Sequence, residues 1–310
     1  MRLKVLGSAA GGGFPQWNCA CPQCMGVRAG TLKARPRTQT QAAISTDGSR
    51  WFLLNASPDL RQQILSCADL VPPAGSRNTP VTAVVLTSAD VDAVMGLLHL
   101  REFQPLQIFS TMAVRRVLTE ENSLFRVLAR SNPPVKWESL PLDRLTPLIP
   151  PSPADKKSGL FCKALSLNGN FPDYVSESLR NTLSPEEAVI GLSLVSKEKK
   201  LFYAPNLPGT GDQWLRCVEE SDLAILDGTF WKDDELNSIQ KGSKSARQMG
   251  HLPLWGDRGL LRQPFRPSKT RRVLIHLNNT NPVLNDESPE SRFVREAGWE
   301  IAYDGMELAI

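Results

Sequence analysis

Ala83-Val84-Val85-Leu86-Thr87-Ser88-Ala89-Asp90-Val91-Asp92-Ala93 is the stretch on which the reading of the fold turns. The apolar run 83–86 is short and β-branched, as a buried strand is. Apolar residues at helical spacing follow, so a helix is expected over Asp90 to Glu102. Two carboxylates two residues apart, delivered where a strand gives way to a helix, can share a cation. Capping and the helix dipole favour aspartate at such a place for reasons unconnected with metal.

Outward from this junction the strand signature recurs at Leu3 to Leu6, Ala42 to Ser45, Trp51 to Asn55, Ile108 to Ser110, Cys162 to Leu167, Val189 to Val195, Leu201 to Tyr203, Leu223 to Leu226, Val273 to Leu277 and Glu300 to Tyr303. Asp47-Gly48 predicts a tight type I′ hairpin, and a second hairpin is expected around Lys197 to Lys200. Helices are expected at Asp59 to Cys67, capped by Ser57-Pro58, at Met112 to Thr119, and at Pro289 to Ala297, closed by Gly298. The proline-rich residues 132–159 and the polar residues 237–247 read as loops. Strands interspersed with helices make this an α/β chain, expected as one domain over residues 1–310.

The chain of 310 residues carries 36 Lys plus Arg against 32 Asp plus Glu, a net charge of +4. That balance argues against a dedicated nucleic-acid binder. No apolar run approaches the ~18 residues of a membrane span, and the first residues read as a strand rather than a secretory segment. Six cysteines, three of them within six positions, read poorly as a disulfide framework. The cytoplasm is therefore expected.

Those three form the sharpest local motif, Cys19-Ala-Cys21-Pro-Gln-Cys24. Thiolates at this spacing can wrap one tetrahedral ion, by default a structural Zn2+, with a fourth ligand from His251 or another distant side chain. Gly7-Ser-Ala-Ala-Gly11-Gly12-Gly13 lacks the G-x-G-x-x-G spacing of a dinucleotide loop and reads as a place of close backbone approach. His99 reads as a packed or solvent-facing helix residue. The basic residues Lys241, Lys244, Arg247, Arg262, Arg266, Lys269, Arg271 and Arg272 read as a solvated face, some of which could attract carboxylates.

The opening junction resembles the T-H-x-H-x-D-H motif of the metallo-β-lactamase superfamily, with Ser88, Asp90 and Ala93 where histidines would stand and Asp92 retained. Further blocks are Gly7 to Gly13, Phe14-Pro15-Gln16-Trp17-Asn18-Cys19, Asn55-Ala-Ser57-Pro58-Asp59, Leu201-Phe-Tyr203-Ala-Pro205, Asp227-Gly228-Thr229-Phe230-Trp231, Met249-Gly250-His251-Leu252, His276-Leu-Asn278-Asn279-Thr280-Asn281-Pro282 and Tyr303-Asp304-Gly305-Met306. With these the chain resembles the coenzyme PQQ biosynthesis protein B family.

The resemblance implies a four-layer αββα metallo-β-lactamase-like sandwich with its metal held by loops at one edge of the sheets. His276 matches the last metal-binding histidine of the superfamily, His251 a catalytic histidine of its phosphodiesterase members, and Asn206 the place of a bridging aspartate. With three histidines in all, and none near Leu167, a full dinuclear site is excluded. Asp90, Asp92 and His276 remain as expected ligands of one metal, with Asp92, His251 and His276 in catalytic roles.

The activity implied is an Fe2+-dependent oxygenase that uses dioxygen to hydroxylate the tyrosine of the crosslinked Glu-Tyr precursor of pyrroloquinoline quinone (PQQ). Few protein ligands suit that task, since Fe(II) then keeps positions free. Ala93 departs from this, because related members can carry a histidine there. The alternatives are a non-catalytic carrier assisting transport of PQQ or its precursor, and a degenerate metallo-hydrolase. A homodimer is compatible with each.

Overall fold

In the computed structural model, which describes residues 1–102, 105–130, 133–148, 159–266 and 268–310, the chain forms two seven-stranded mixed sheets. The first contains β1 (Arg2–Gly7), β2 (Gln41–Ser45), β3 (Trp51–Leu54), β4 (Val81–Val85), β5 (Gln107–Ser110) and β6 (Lys136–Ser139). The second contains β7 (Leu145–Pro147), β8 (Phe161–Ser166), β9 (Ile190–Ser196), β10 (Lys199–Ala204), β11 (Leu223–Asp227), β12 (Arg271–Ile275) and β13 (Trp299–Ile301). The last strand, β14 (Glu307–Ala309), returns to pair with β1 at the edge of the first sheet. Each sheet is antiparallel over one half and parallel over the other, at β3 to β6 and at β10 to β13.

The period-2 alternation of the strands builds the layers. Leu3, Val5, Phe52 and Leu54 pack with Leu201, Tyr203, Leu223 and Ile225 in a core between the sheets. Their neighbours Leu53, Val84, Phe202 and Leu226 join a second core with helical residues on the outer faces, among them Val94, Leu97, Val114, Leu215, Val218 and Val294. The helices are α1 (Pro22–Ala29), α2 (Leu60–Leu65), α3 (Val91–Val94), α4 (Met112–Arg116), α5 (Arg126–Arg130), α6 (Glu177–Arg180), α7 (Asp212–Glu219) and α8 (Pro289–Glu296). This is the expected αββα arrangement. Among the described residues no helix is long and apolar enough to cross a membrane.

Several local expectations are corrected. The helix expected over Asp90 to Glu102 is α-helical only at α3 and continues as a 3-10 helix, Met95–Arg101. The reason is competition for backbone groups: Ala93 C=O accepts from Ala56 N–H at 2.7 Å, and Gly96 N–H donates to Ala56 C=O at 2.8 Å. Asp47-Gly48 is no type I′ turn. Only Gly48 has positive φ, and the five-residue loop is organised by Asp47, whose carboxylate accepts from the N–H groups of Ser49 and Arg50. Ser57 does not cap α2; its hydroxyl donates to Gln63.

The loop expected over 132–159 contains β6 and β7, while 132 and 149–158 lie outside the described residues. Pro147 is tolerated because β7 is an edge strand. The helices α1, α5, α6 and α7 and the strand β14 were not expected, and β13 begins a residue earlier than the sequence suggests.

Gly96 is the position at which this packing leaves no room for a side chain. A Cβ there would stand 2.2 Å from the Ser57 carbonyl oxygen and 2.9 Å from that of Ala56. Gly96→Ala is expected to cost about 1–3 kcal/mol, read as a lowered midpoint in chemical denaturation.

Candidate metal centre

The first sheet delivers Asp92. Asn55, in the left-handed region at φ 68°, accepts from Thr87 N–H at 2.9 Å and donates to Thr87 Oγ1 at 2.9 Å. This pins the exit of β4, and Ile190 N–H donates to Thr87 C=O at 2.9 Å from the neighbouring sheet. Ser88 Oγ donates to Asp90 Oδ2 at 2.7 Å, and Asp92 opens the first turn of α3. The glycine-rich loop after β1 comes up against it: a Cβ on Gly11 would lie 3.7 Å from Asp92 Oδ2. Backbone bonds hold this loop close, as expected: Ala10 N–H donates to Leu277 C=O, and Leu277 N–H to Ser8 C=O.

The second sheet delivers the rest. Asp227 ends β11, wholly buried, and its Oδ1 accepts from Thr229 N–H at 2.9 Å and Thr229 Oγ1 at 2.5 Å. Its Oδ2 accepts from Leu207 N–H at 2.9 Å and faces His251 Nδ1 at 2.8 Å. His276 follows β12 at φ 62°, a conformation rare for a side-chain-bearing residue and a frequent mark of functional positions. Its Nδ1 lies 2.7 Å from Thr229 Oγ1 and its Nε2 2.9 Å from Asp92 Oδ2. The two imidazoles stack with centroids 5.2 Å apart.

These contacts fix the tautomers. Thr229 has one hydroxyl proton and gives it to the Asp227 carboxylate, so its oxygen can only accept from His276 Nδ1–H. His251 likewise donates from Nδ1 to Asp227. A neutral His276 would then turn the lone pair of Nε2 toward the Asp92 carboxylate at hydrogen-bond distance, two acceptors in contact. A positive charge has to lie between them, either a proton or a metal ion.

Burial alone would favour a neutral His276, but Asp92, Asp227 and Asp90 outweigh it and hold the ring above its ordinary value. Burial, followed by the charge of Asp92, pushes Asp90 up to about 6. Against its own burial, Asp92 is held below the usual range by His276. A separation of 2.9 Å is also about that of two donors at a right angle, each ~2.1 Å from one octahedral ion. The donor set therefore fits a metal.

The site floors a cleft of about 830 Å3 lined also by Asn206, Phe171, Tyr174, Met249 and Lys244. Asn206 Oδ1 is buried with no hydrogen-bond partner among the described residues, an oxygen suited to a cation or a ligand N–H or O–H.

The sulfurs of Cys19, Cys21 and Cys24 form a separate cluster, all within 4.8 Å of one another. Cys21 is the N-cap of α1, which explains why a helix follows at once. The place opposite the sulfurs belongs to Asn279, whose side-chain amide lies 3.2, 3.8 and 3.4 Å from Cys19, Cys21 and Cys24. His251, offered by the sequence as a fourth ligand, is instead held in the cleft by Asp227.

Asp92, His251 and His276 thus come together, with Asp90 beside them, whereas His99 is exposed. Asp227, Thr229 and Asn279 were missed as site residues. Their signal is positional: Asp227 ends an apolar strand, and Asn279 stands three residues after His276.

The sandwich and its edge site define a class, the β-lactamase superfamily domain, whose family model matches residues 50–277. Within it the chain belongs to the coenzyme PQQ synthesis protein B family. It is 40% identical over 310 residues to coenzyme PQQ synthesis protein B of Stutzerimonas stutzeri, covering 99% of each chain. With that of Azoarcus sp. (strain BH72) it shares 41% over 314 residues, covering 100% of each. Among solved structures it is similar to Zn(2+)-bound PqqB from Methylobacterium extorquens, with 36% identity, full coverage of both chains and a TM-score of 0.90. A diphosphatase of the PhnP family, 17% identical with a TM-score of 0.65 over 100% of this chain and 97% of that one, shares the fold.

Glu235 generates one prediction. Its carboxylate accepts from Trp231 N–H and Thr280 Oγ1, and burial pushes it up to about 7 against the pull of those donors. Its folded value lies above the ordinary 4.5, so its contribution to stability is full below 4.5 and is lost as pH rises through about 7. Denaturation between these pH values should show a fall in wild-type stability that Glu235→Gln flattens. The cysteine cluster generates another: Cys21→Ser should release bound zinc and lower the thermal midpoint, because ion binding there contributes to folding. Metal analysis showing unchanged zinc would count against the assignment.

Proposed function

We propose that the chain takes part in PQQ biosynthesis, in the cytoplasm, as an Fe2+-dependent hydroxylase of the tyrosine in the crosslinked Glu-Tyr precursor, with dioxygen and an external two-electron reductant as co-substrates, the second oxygen atom leaving as water. The observation that supports a metal-dependent reaction is the contact of Asp92 Oδ2 with His276 Nε2 at 2.9 Å, a carboxylate and an imidazole close enough to ligate one ion. Asp92 and His276 would hold the ion, with Asp90 and Asn206 as further oxygen donors. When bound, Fe(II) with free positions would supply the activation of dioxygen that ring hydroxylation needs.

The protein's own residues supply orientation and proton handling. Thr229 and Asp227 hold the tautomers of both histidines, as partners around ligating imidazoles do. That leaves His251 Nε2 without a hydrogen bond among the described residues, free to take a proton from a phenol in the cleft. Cys19, Cys21 and Cys24, with Asn279 opposite, would hold a structural Zn2+.

Ala93, buried with only 6% exposure at the cleft, favours a second reading, a carrier for PQQ or its precursor. A methyl group there supplies no donor beside Asp92.

Anaerobic reconstitution with Fe(II), followed by air with ascorbate as reductant and mass analysis of the crosslinked dipeptide, separates the two. The hydroxylase gains one oxygen atom on the tyrosine; the carrier binds the ligand unchanged. His276→Ala should lose Fe(II) and keep its zinc, and iron held with unaltered affinity in that variant would overturn the ligand assignment.

A further inference from the structure

Lys244 Nζ donates to Asp173 Oδ2 at 3.1 Å, linking two loops that both line the cleft. One runs from Asn168 toward α6 and the other leads into His251. The side chains are 61% and 89% exposed, respectively, so the pair adds little to stability. Its position is the more informative property. Among the described residues lining the cleft, Lys244 is the only lysine or arginine, while Asp90, Asp92 and Asp173 all carry carboxyl groups there. Phe171, Tyr174 and Met249 add apolar surface suited to a flat ring.

A cleft with these carboxyl groups repels an anion unless the positive charge at the contact of Asp92 with His276 offsets them and the rim offers a cation. We infer that Lys244 is the specificity-determining residue for a carboxylate of the ligand, and that Asp173 occupies its ammonium group until a ligand carboxylate displaces it. The inference rests on the reading of the ligand as a carboxylate-rich aromatic of the PQQ pathway. It assigns opposite roles to two residues that touch each other. Lys244 attracts the ligand; Asp173 competes with it.

The sign of two substitutions tests this. Binding of PQQ, a tricarboxylate, and of benzene-1,3,5-tricarboxylate is measured by calorimetry on metal-loaded wild type, Lys244→Gln, Lys244→Arg and Asp173→Asn, with metal content determined for each. Lys244→Gln should weaken PQQ binding about fivefold, the scale of one exposed ion pair. Lys244→Arg should keep it near wild type, and Asp173→Asn should tighten it about threefold.

A pair serving only as a strut between loops would make Lys244→Gln and Asp173→Asn change affinity in the same direction, which overturns the inference. So does equal affinity in Lys244→Gln and wild type, or failure of wild type to bind either tricarboxylate. If wild type binds the plain benzene tricarboxylate as tightly as PQQ and both respond to Lys244, the carboxylate role stands and the pathway reading fails.

Discussion

The contact between Asp92 and His276 is the constraint on which the site depends, because each residue belongs to a different sheet. Asp92 leaves the parallel half of the first sheet after β4, and His276 leaves the parallel half of the second after β12. Their donor atoms meet at 2.9 Å only if the two sheets keep their spacing and rotation. The inter-sheet core of Phe52, Leu54, Tyr203 and Ile225 sets that spacing. The backbone bonds from Ile190 to Thr87 and from Ala10 to Leu277 clamp the edge where the loops converge. Packing energy spread over the molecule thus determines the distance between two atoms.

Around that contact the electrostatics are unbalanced. Three carboxyl groups, Asp90, Asp92 and Asp227, face two imidazoles whose Nδ1 positions are already committed. Burial raises the cost of leaving such charges unmatched. The left-handed backbone of His276 is held against its own preference by neighbouring ladder bonds, Leu277 to Ser8 and Asn278 to Thr229. A ring so fixed cannot swing away from Asp92 to relieve the charge, so a positive charge, on a proton or on a metal ion, is required at that contact.

Most of the sandwich was legible because its strands alternate or run apolar for four to seven residues between recognisable turns. What escaped did so for physical reasons. β7 carries a proline and survives only as an edge. β14 is three residues long and owes its existence to pairing with β1. The continuous helix expected after Asp90 failed because Ala56 takes the backbone groups that a longer α-helix would use. Of the site, Asp92, His251, His276 and the three cysteines were visible by type and place. Asp227-Gly228-Thr229 and Asn278-Asn279-Thr280-Asn281-Pro282 stood out only as blocks of the family resemblance, and nothing in their composition reveals that one aspartate organises both histidines or that one amide faces three sulfurs. Those roles arise from contacts across 22 to 260 positions of chain.

The spacing of His276 and Asn279 makes one short turn the shared wall of two compartments. Its first residue looks into the cleft and its fourth into the thiol cluster, and Glu235 grips the next through Thr280. If the cysteines hold an ion, a chelator strong enough to remove it would loosen the same four residues that aim the imidazole at Asp92. Metal counts made after such stripping would then describe a protein whose cleft has been disarranged along with its thiol cluster, and the order in which ions are added would become part of the measurement.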